Sequence, residues 1–153
     1  MRSLLLCLSL LGPPAWAEPP PAFLVGTWTC LPKAGGPSFA WVVTEELPGG
    51  WLVGRGYESG VLTSLETWAH DDGQLHDRRQ FSPRGAYIEL HVIARTEDTL
   101  LSQGRATERD GTTVRLQHRL TRIGDAAFEA VWQVGDGGGW RPVADEVCTR
   151  DPA

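Results

Sequence analysis

A chain of 153 residues with 41% hydrophobic and 22% charged content has room for one domain with a real core. Its 14 basic residues are outnumbered by 19 acidic ones, leaving a formal charge of −5. Without a basic field to release counterions from a phosphate backbone, the electrostatic term that dominates nucleic-acid affinity is missing, and that class of partner is excluded.

Arg2, the apolar run Ser3 to Leu11 and the small-x-small site Ala15-Trp16-Ala17 read as a secretory leader over 1–17, cleaved near Glu18. The apolar run is about ten residues, well short of the roughly 20 that span a bilayer as a helix, and nothing later is apolar enough to try. Cys7 follows Leu6, where a lipidated cysteine would want a small residue, so no lipid anchor is expected. The sequence predicts an exported protein, periplasmic or secreted, with no membrane span. Residues 18–22 form a Pro-rich tether, and the domain occupies 23–150.

Loss of the leader leaves two cysteines, Cys30 near the start of the domain and Cys148 near its end. An oxidising compartment favours joining them, and a disulfide is predicted; the alternative is two free buried thiols.

From Phe23 onward the punctuation is regular. Pro48-Gly49-Gly50, Asp71-Asp72-Gly73, Ser82-Pro83-Arg84-Gly85, Asp110-Gly111, Gly124-Asp125 and Asp136 through Gly139 are turn signatures, because Gly and Asp tolerate positive φ and Pro presets the first turn position. Between them lie segments rich in Val, Ile, Thr, Trp, Tyr and Phe, which predict ten strands: 24–31, 39–46, 51–59, 62–70, 74–81, 86–93, 99–107, 113–122, 127–134 and 140–149. No segment has a helical period. Short connections suit strands paired in sequence order, and closure removes exposed sheet edges. The expected fold is all-β, a single closed or nearly closed up-and-down antiparallel barrel, with Cys30 and Cys148 facing each other across the seam.

Side chains two apart share a face of a strand. Phe39, Trp41 and Val43 form one row; Trp51, Val53, Arg55 and Tyr57 a second; Leu62, Ser64, Glu66, Trp68 and His70 a third. Leu75, Asp77, Arg79 and Phe81 form a fourth, Val114, Leu116, His118 and Leu120 a fifth, and Phe128, Ala130, Trp132 and Val134 a sixth. These rows carry most of the aromatics and are expected to face inward.

Several short pieces together resemble the calycin-like barrels, lipocalins and fatty-acid-binding proteins, and especially the exported lipocalin-like domains of bacteria. They are Val25-Gly26-Thr27-Trp28-Thr29-Cys30, Trp51-Leu52-Val53-Gly54-Arg55 with Glu58, Glu66-Thr67-Trp68 with Asp71, Gly85-Ala86-Tyr87, and Glu146-Val147-Cys148. The resemblance implies a barrel able to hold a small molecule, with Trp28 plugging one end. The related nitrobindins bind haem through a His near the C-terminus, and residues 127–149 contain none; no cofactor is expected. Fatty-acid-binding proteins use an Arg-x-Tyr near the C-terminus, whereas Arg55-Gly56-Tyr57 has that spelling in the third strand.

The resulting expectation is a binder of a hydrophobic or amphipathic molecule, an anionic one where an inward Arg serves it, lined by Trp41, Arg55, Tyr57, Glu66, Trp68, Arg79, His118 and Trp132. Arg55, Glu66, Asp77 and Arg79 share faces with large apolar neighbours, and buried charges cost several kcal/mol each unless paired. Three explanations stay open: a structural charge network, an inward Arg serving an anionic ligand, or an inverted assignment of strand 74–81. His118 is either a ligand contact or a hydrogen-bonded core residue. His70 and His76 flank a turn, and His91 alternates with Tyr87 and Glu89. No two histidines have a ligand-like spacing within one element, so no metal site is expected. No nucleophile elbow or phosphate-cradling loop is present, so no catalytic residue is assigned. Two other functions remain: a non-catalytic envelope or interaction protein whose barrel is filled by Trp, and a cavity isomerase or cyclase using Glu66 and His118.

Overall fold

The computed structural model describes residues 22–47, 51–71 and 74–152; the leader and all of the tether but its last residue lie outside them. Ten strands follow a single turn of 3-10 helix at Ala22–Leu24. They are β1 (Gly26–Pro32), β2 (Phe39–Leu47), β3 (Trp51–Glu58), β4 (Val61–Asp71), β5 (Gln74–Phe81), β6 (Tyr87–Arg95), β7 (Thr99–Thr107), β8 (Thr113–Arg122), β9 (Ala127–Gly135) and β10 (Trp140–Arg150). Every strand lies where the turn signals and β-branched composition place it, with ends within two residues of expectation.

Each strand pairs antiparallel with its sequence neighbours, and β1 pairs with β10, so the sheet closes into one barrel. In that seam Cys30 stands directly opposite Cys148 and the two form a disulfide, their Cα atoms 3.9 Å apart. Trp28 is opposite Arg150 in the same ladder.

One end of the barrel is closed by the turn at Ala22–Leu24 that leads into β1. Leu24 is fully buried in a cluster with Trp28, Leu52, Leu100, Leu120 and Phe128. The Trp28 indole N–H donates to the Leu24 carbonyl at 2.8 Å. Arg150 fixes the same turn, donating from Nη1 to the Val25 carbonyl and from Nη2 to the Phe23 carbonyl while its guanidinium lies 4.2 Å from the centre of the Trp28 ring. This contact explains the Gly of the Gly-Thr-Trp motif. Gly26 has φ 145°, and a Cβ there would come within 2.3 Å of Arg150 Nη1.

Of the six expected inward rows, those of β2, β8 and β9 face the core, as do Ser64, Glu66 and Trp68 of the β4 row; Leu62, before the skipped Thr63, is 41% exposed. The rows assigned on β3 and β5 do not. On β3 the inner residues are Leu52, Gly54, Gly56 and Glu58, and Trp51, Val53, Arg55 and Tyr57 face outward. On β5 the inner residues are Arg78 and Gln80, while Asp77, Arg79 and Phe81 face outward.

The two inversions have different causes. β3 alternates without a break and its face is set by β2, whose buried Trp41 and Val43 stand opposite Gly56 and Gly54 while Val42 stands opposite Arg55. β5 is turned by an extra residue of its own. From the Ser59-Gly60 turn the β3–β4 ladder runs Glu58 to Val61 and Tyr57 to Leu62, then skips Thr63 so that Gly56 meets Ser64. In β4–β5 the ladder runs Asp71 to Gln74 and His70 to Leu75, then skips His76 so that Ala69 meets Asp77. Each skipped residue is a β-bulge, and a slip of one residue moves every following side chain to the other face.

Candidate functional site

Toward the end opposite the Ala22–Leu24 turn, the barrel holds a partly open cavity of about 300 Å³. Trp41 and Phe128 border it from the aromatic core, with the Cys30–Cys148 bridge in one wall. Glu58, Thr63, Gln80 and Ile88 line it where β3, β4, β5 and β6 meet their hairpin turns. The glycines of β3 make the room. A Cβ on Gly54 would press on the Trp41 indole at 3.0 Å, and one on Gly56 would lie 2.4 Å from Ser64 Oγ. Small inner residues opposite large ones are how a tapering barrel interior is filled.

In this space a buried polar cluster joins β4, β5 and β8. Glu66, Arg78 and His118 are each only 3% exposed. Arg78 donates from Nε to Glu66 Oε2 at 3.0 Å, and its Nη2 stands 2.8 Å from the same oxygen. Arg78 Nη1 is 2.5 Å from His118 Nδ1. An arginine has only donors, so Nδ1 must be the acceptor and the proton of the neutral ring sits on Nε2. Burial first, and then the neighbouring Arg78 charge, hold His118 well below the ordinary histidine range, which keeps the ring neutral. Burial also lowers the Arg78 guanidinium, with Glu66 acting in the opposite direction.

Aromatic rings clamp this cluster. The Arg78 guanidinium lies 4.6 Å from the centre of the Trp68 ring and 4.9 Å from that of Trp132. His118 stacks on Trp132 with ring centres 3.8 Å apart, and Trp41 meets Trp68 at 6.5 Å. The indole N–H groups of Trp41 and Trp68 and Nε2 of His118 are buried without a hydrogen-bond partner.

Glu146 on β10 completes the wall. It lies two residues before Cys148, so it shares the inner face with the bridge, and it lines the cavity. Burial pushes its carboxyl above the ordinary range; Arg78 opposes this, and Glu66 and Asp145 add to it.

The chain matches no protein-family model and no curated protein. Among solved structures it is similar to a redesigned β-barrel, 15% identical, over 86% of this chain and 95% of that one, with a TM-score of 0.40.

The eight residues expected to line a site divide clearly. Trp41, Glu66, His118 and Trp132 line the cavity, and Trp68 is buried directly behind Arg78. Arg55 lies outside, its Nη1 paired with Glu46 at 2.6 Å and near Thr44. Tyr57 shares that outer face. Arg79 is also outside, beside Trp51, Thr67, Ala69 and Asp77 in a shallow surface depression, and Asp77 bonds the exposed His91 at 2.6 Å. Arg55 and Tyr57 are therefore outside by the pairing of β3 with β2, Arg79 by the bulge in β5, and Arg78 is the inward arginine. The side chains of His70 and His76 lie outside the described residues.

Arg78 and Glu146 were missed in the sequence. A signal for Glu146 existed: once the bridge fixes Cys148 inward, parity places 146 inward with it. For Arg78 the signal was the charge content of strand 74–81, which left an inverted assignment open; the bulge at 76 makes that inversion real.

Proposed function

We propose that this protein is an exported, calycin-like barrel that binds one small hydrophobic or amphipathic molecule in its cavity. The observation that carries the reading is the 300 Å³ space itself, bordered by Phe39, Trp41, Phe128 and Trp132 and holding a few convergent polar groups. This combination is typical of small-ligand sites, at the lower end of their sizes. The disulfide across the barrel seam supports an oxidising compartment, in keeping with the leader-like residues 1–17.

A barrel packed solid by tryptophan is the weaker alternative, because Trp28, Trp41 and Trp68 are buried and the cavity still remains. Acid-base catalysis by Glu66 and His118 has less support again. Arg78 bonds both, and a His held neutral with its Nδ1 accepting from an arginine has no free base nitrogen.

Two measurements test the binding reading. Native mass spectrometry of protein isolated from its own compartment is expected to show a mass above that of the polypeptide. Titration of the emptied protein with the neutral fluorophore N-phenyl-1-naphthylamine is expected to saturate at one per chain. Ala130→Leu places extra side-chain volume in the cavity wall, and should weaken that binding about tenfold, a cost of about 1.4 kcal/mol, with the near-UV spectrum retained. An apo mass together with no saturable fluorescence overturns the proposal.

A further inference from the structure

We propose that the cavity is built for an organic cation, an ammonium group on a short apolar body, with the Glu146 carboxylate as its counter-ion. This rests on the ligand-binding reading and names the class of molecule it would take.

The charges that line the cavity are unbalanced. Among the described residues Glu58, Glu66 and Glu146 face it from β3, β4 and β10, against one cation, Arg78 on β5, with His118 on β8 neutral. Arg78 is already committed: Nε and Nη2 meet one oxygen of Glu66 and Nη1 meets His118. An anionic headgroup would have to break a buried ion pair to gain that guanidinium, and would enter beside two further carboxyls.

Glu146 is the opposite case. Among the described residues no hydrogen bond or ion pair is made by its carboxyl, although it is partly buried. Its neighbour Asp145 points to the other side of β10 and holds Lys33 there, together with Glu129. The nearest lysine is thus engaged outside the barrel. A carboxyl taken partly out of water, with the field of Arg78 but no hydrogen bond to offset it, is a cost that a cationic ligand would relieve.

The apolar walls point the same way. Phe39, Trp41, Phe128 and Trp132 border the cavity that Glu146 lines, and the negative face of an aromatic ring attracts an ammonium group, most strongly when water is displaced. The same barrel already holds one cation by this means, since Arg78 lies between Trp68 and Trp132. A carboxylate and aromatic side chains around a small space suit a quaternary or primary amine.

The test uses the whole exported chain and three probes of matched apolar length: octyltrimethylammonium, 1-octanol and octyl sulfate, titrated calorimetrically at neutral pH and low salt. The ammonium is expected to bind at least tenfold tighter than the alcohol, with the sulfate weakest. Glu146→Gln is expected to bring the ratio of ammonium to alcohol affinity close to one. Equal affinities for ammonium and alcohol, a preference for the sulfate, or a folded Glu146→Gln that keeps the ammonium preference would each overturn the inference while leaving a ligand-binding barrel standing. Failure of all three probes to bind counts against both proposals. If the variant does not fold, the ranking of the three probes by the wild-type protein decides the matter.

Discussion

At the scale of single residues, the unusual element is a buried polar triad, the Glu66–Arg78 ion pair with the neutral His118, inside an otherwise apolar barrel. Glu66 and Arg78 are buried on adjacent strands. Removing one partner of such a pair leaves an unpaired buried charge, whereas removing both is close to neutral. Arg78→Met is therefore expected to lower the unfolding free energy by about 3–5 kcal/mol in urea titration, and Glu66→Gln combined with Arg78→Met to recover much of it. Equal losses in the single and double variants would show that packing against Trp68 and Trp132, not charge, is what Arg78 supplies. His118 gives a second handle. Its folded-state pKa lies well below that of an exposed histidine, so below pH about 6.5 the unfolded chain takes up a proton that the folded one refuses. Stability should then fall as the pH drops from about 6.5, by up to about 1.4 kcal/mol per pH unit, until the folded-state pKa is reached. Glu146 acts in the other direction: its raised pKa favours the folded state when the carboxyl is protonated and loses that contribution as the pH rises from the ordinary carboxylate range. His118→Asn retains an acceptor for Arg78 and removes the titration. The difference between wild type and His118→Asn isolates the histidine, and parallel stability curves from pH 7.5 to 5 would refute the assignment.

At the scale of elements, strand positions were legible because turn chemistry is local. Pro48-Gly49-Gly50, Asp110-Gly111 and the glycines at 137–139 bound segments whose composition permits little else. Facing was legible only where no bulge intervened. Val114 to Leu120 on β8 alternates from a hairpin whose register with β7 is regular, and His118 falls inside as parity requires. Arg79 falls outside because His76 is an extra residue in its own strand. Arg55 does so because β2 sets Gly54 and Gly56, not Arg55, opposite its buried Trp41 and Val43, with Thr63 the extra residue that lets Glu66 and Trp68 of β4 share that inner face. Nothing in the local sequence at either position marks a bulge. Bulk misled in the same place: the side of β3 that carries Trp51, Val53 and Tyr57 looks like core, but the interior opposite Trp41 has no volume for it, and Gly54 and Gly56 face inward instead. The polar site depended on the second bulge, since only with His76 skipped does Arg78 pair with Trp68 and reach Glu66.

At the scale of the whole molecule, closure and the disulfide were predicted from one another, and the β1–β10 ladder joins them: Trp28 to Arg150, Cys30 to Cys148 and Pro32 to Glu146 lie on one seam. The seam is held by three separate means. A ladder of backbone bonds runs along it, Arg150 ties the entering chain at Phe23 and Val25, and the bridge links positions 118 residues apart. Only the last acts mainly on the unfolded chain, where a cross-link of that span removes conformational freedom worth about 4–5 kcal/mol on the chain-entropy model. Because the ladder and the arginine remain without it, Cys30→Ala combined with Cys148→Ala is expected to fold to the same barrel with reduced stability. For a domain of this size a loss of about 4 kcal/mol corresponds to a melting temperature lower by about 15 °C. Differential scanning calorimetry reads the shift, and far-UV and near-UV circular dichroism read the fold. A double variant that melts at the wild-type temperature would mean that the seam needs no covalent closure. One that lacks near-UV signal at low temperature would mean that the ladder alone cannot hold β1 against β10, and that the bridge is a condition of the fold.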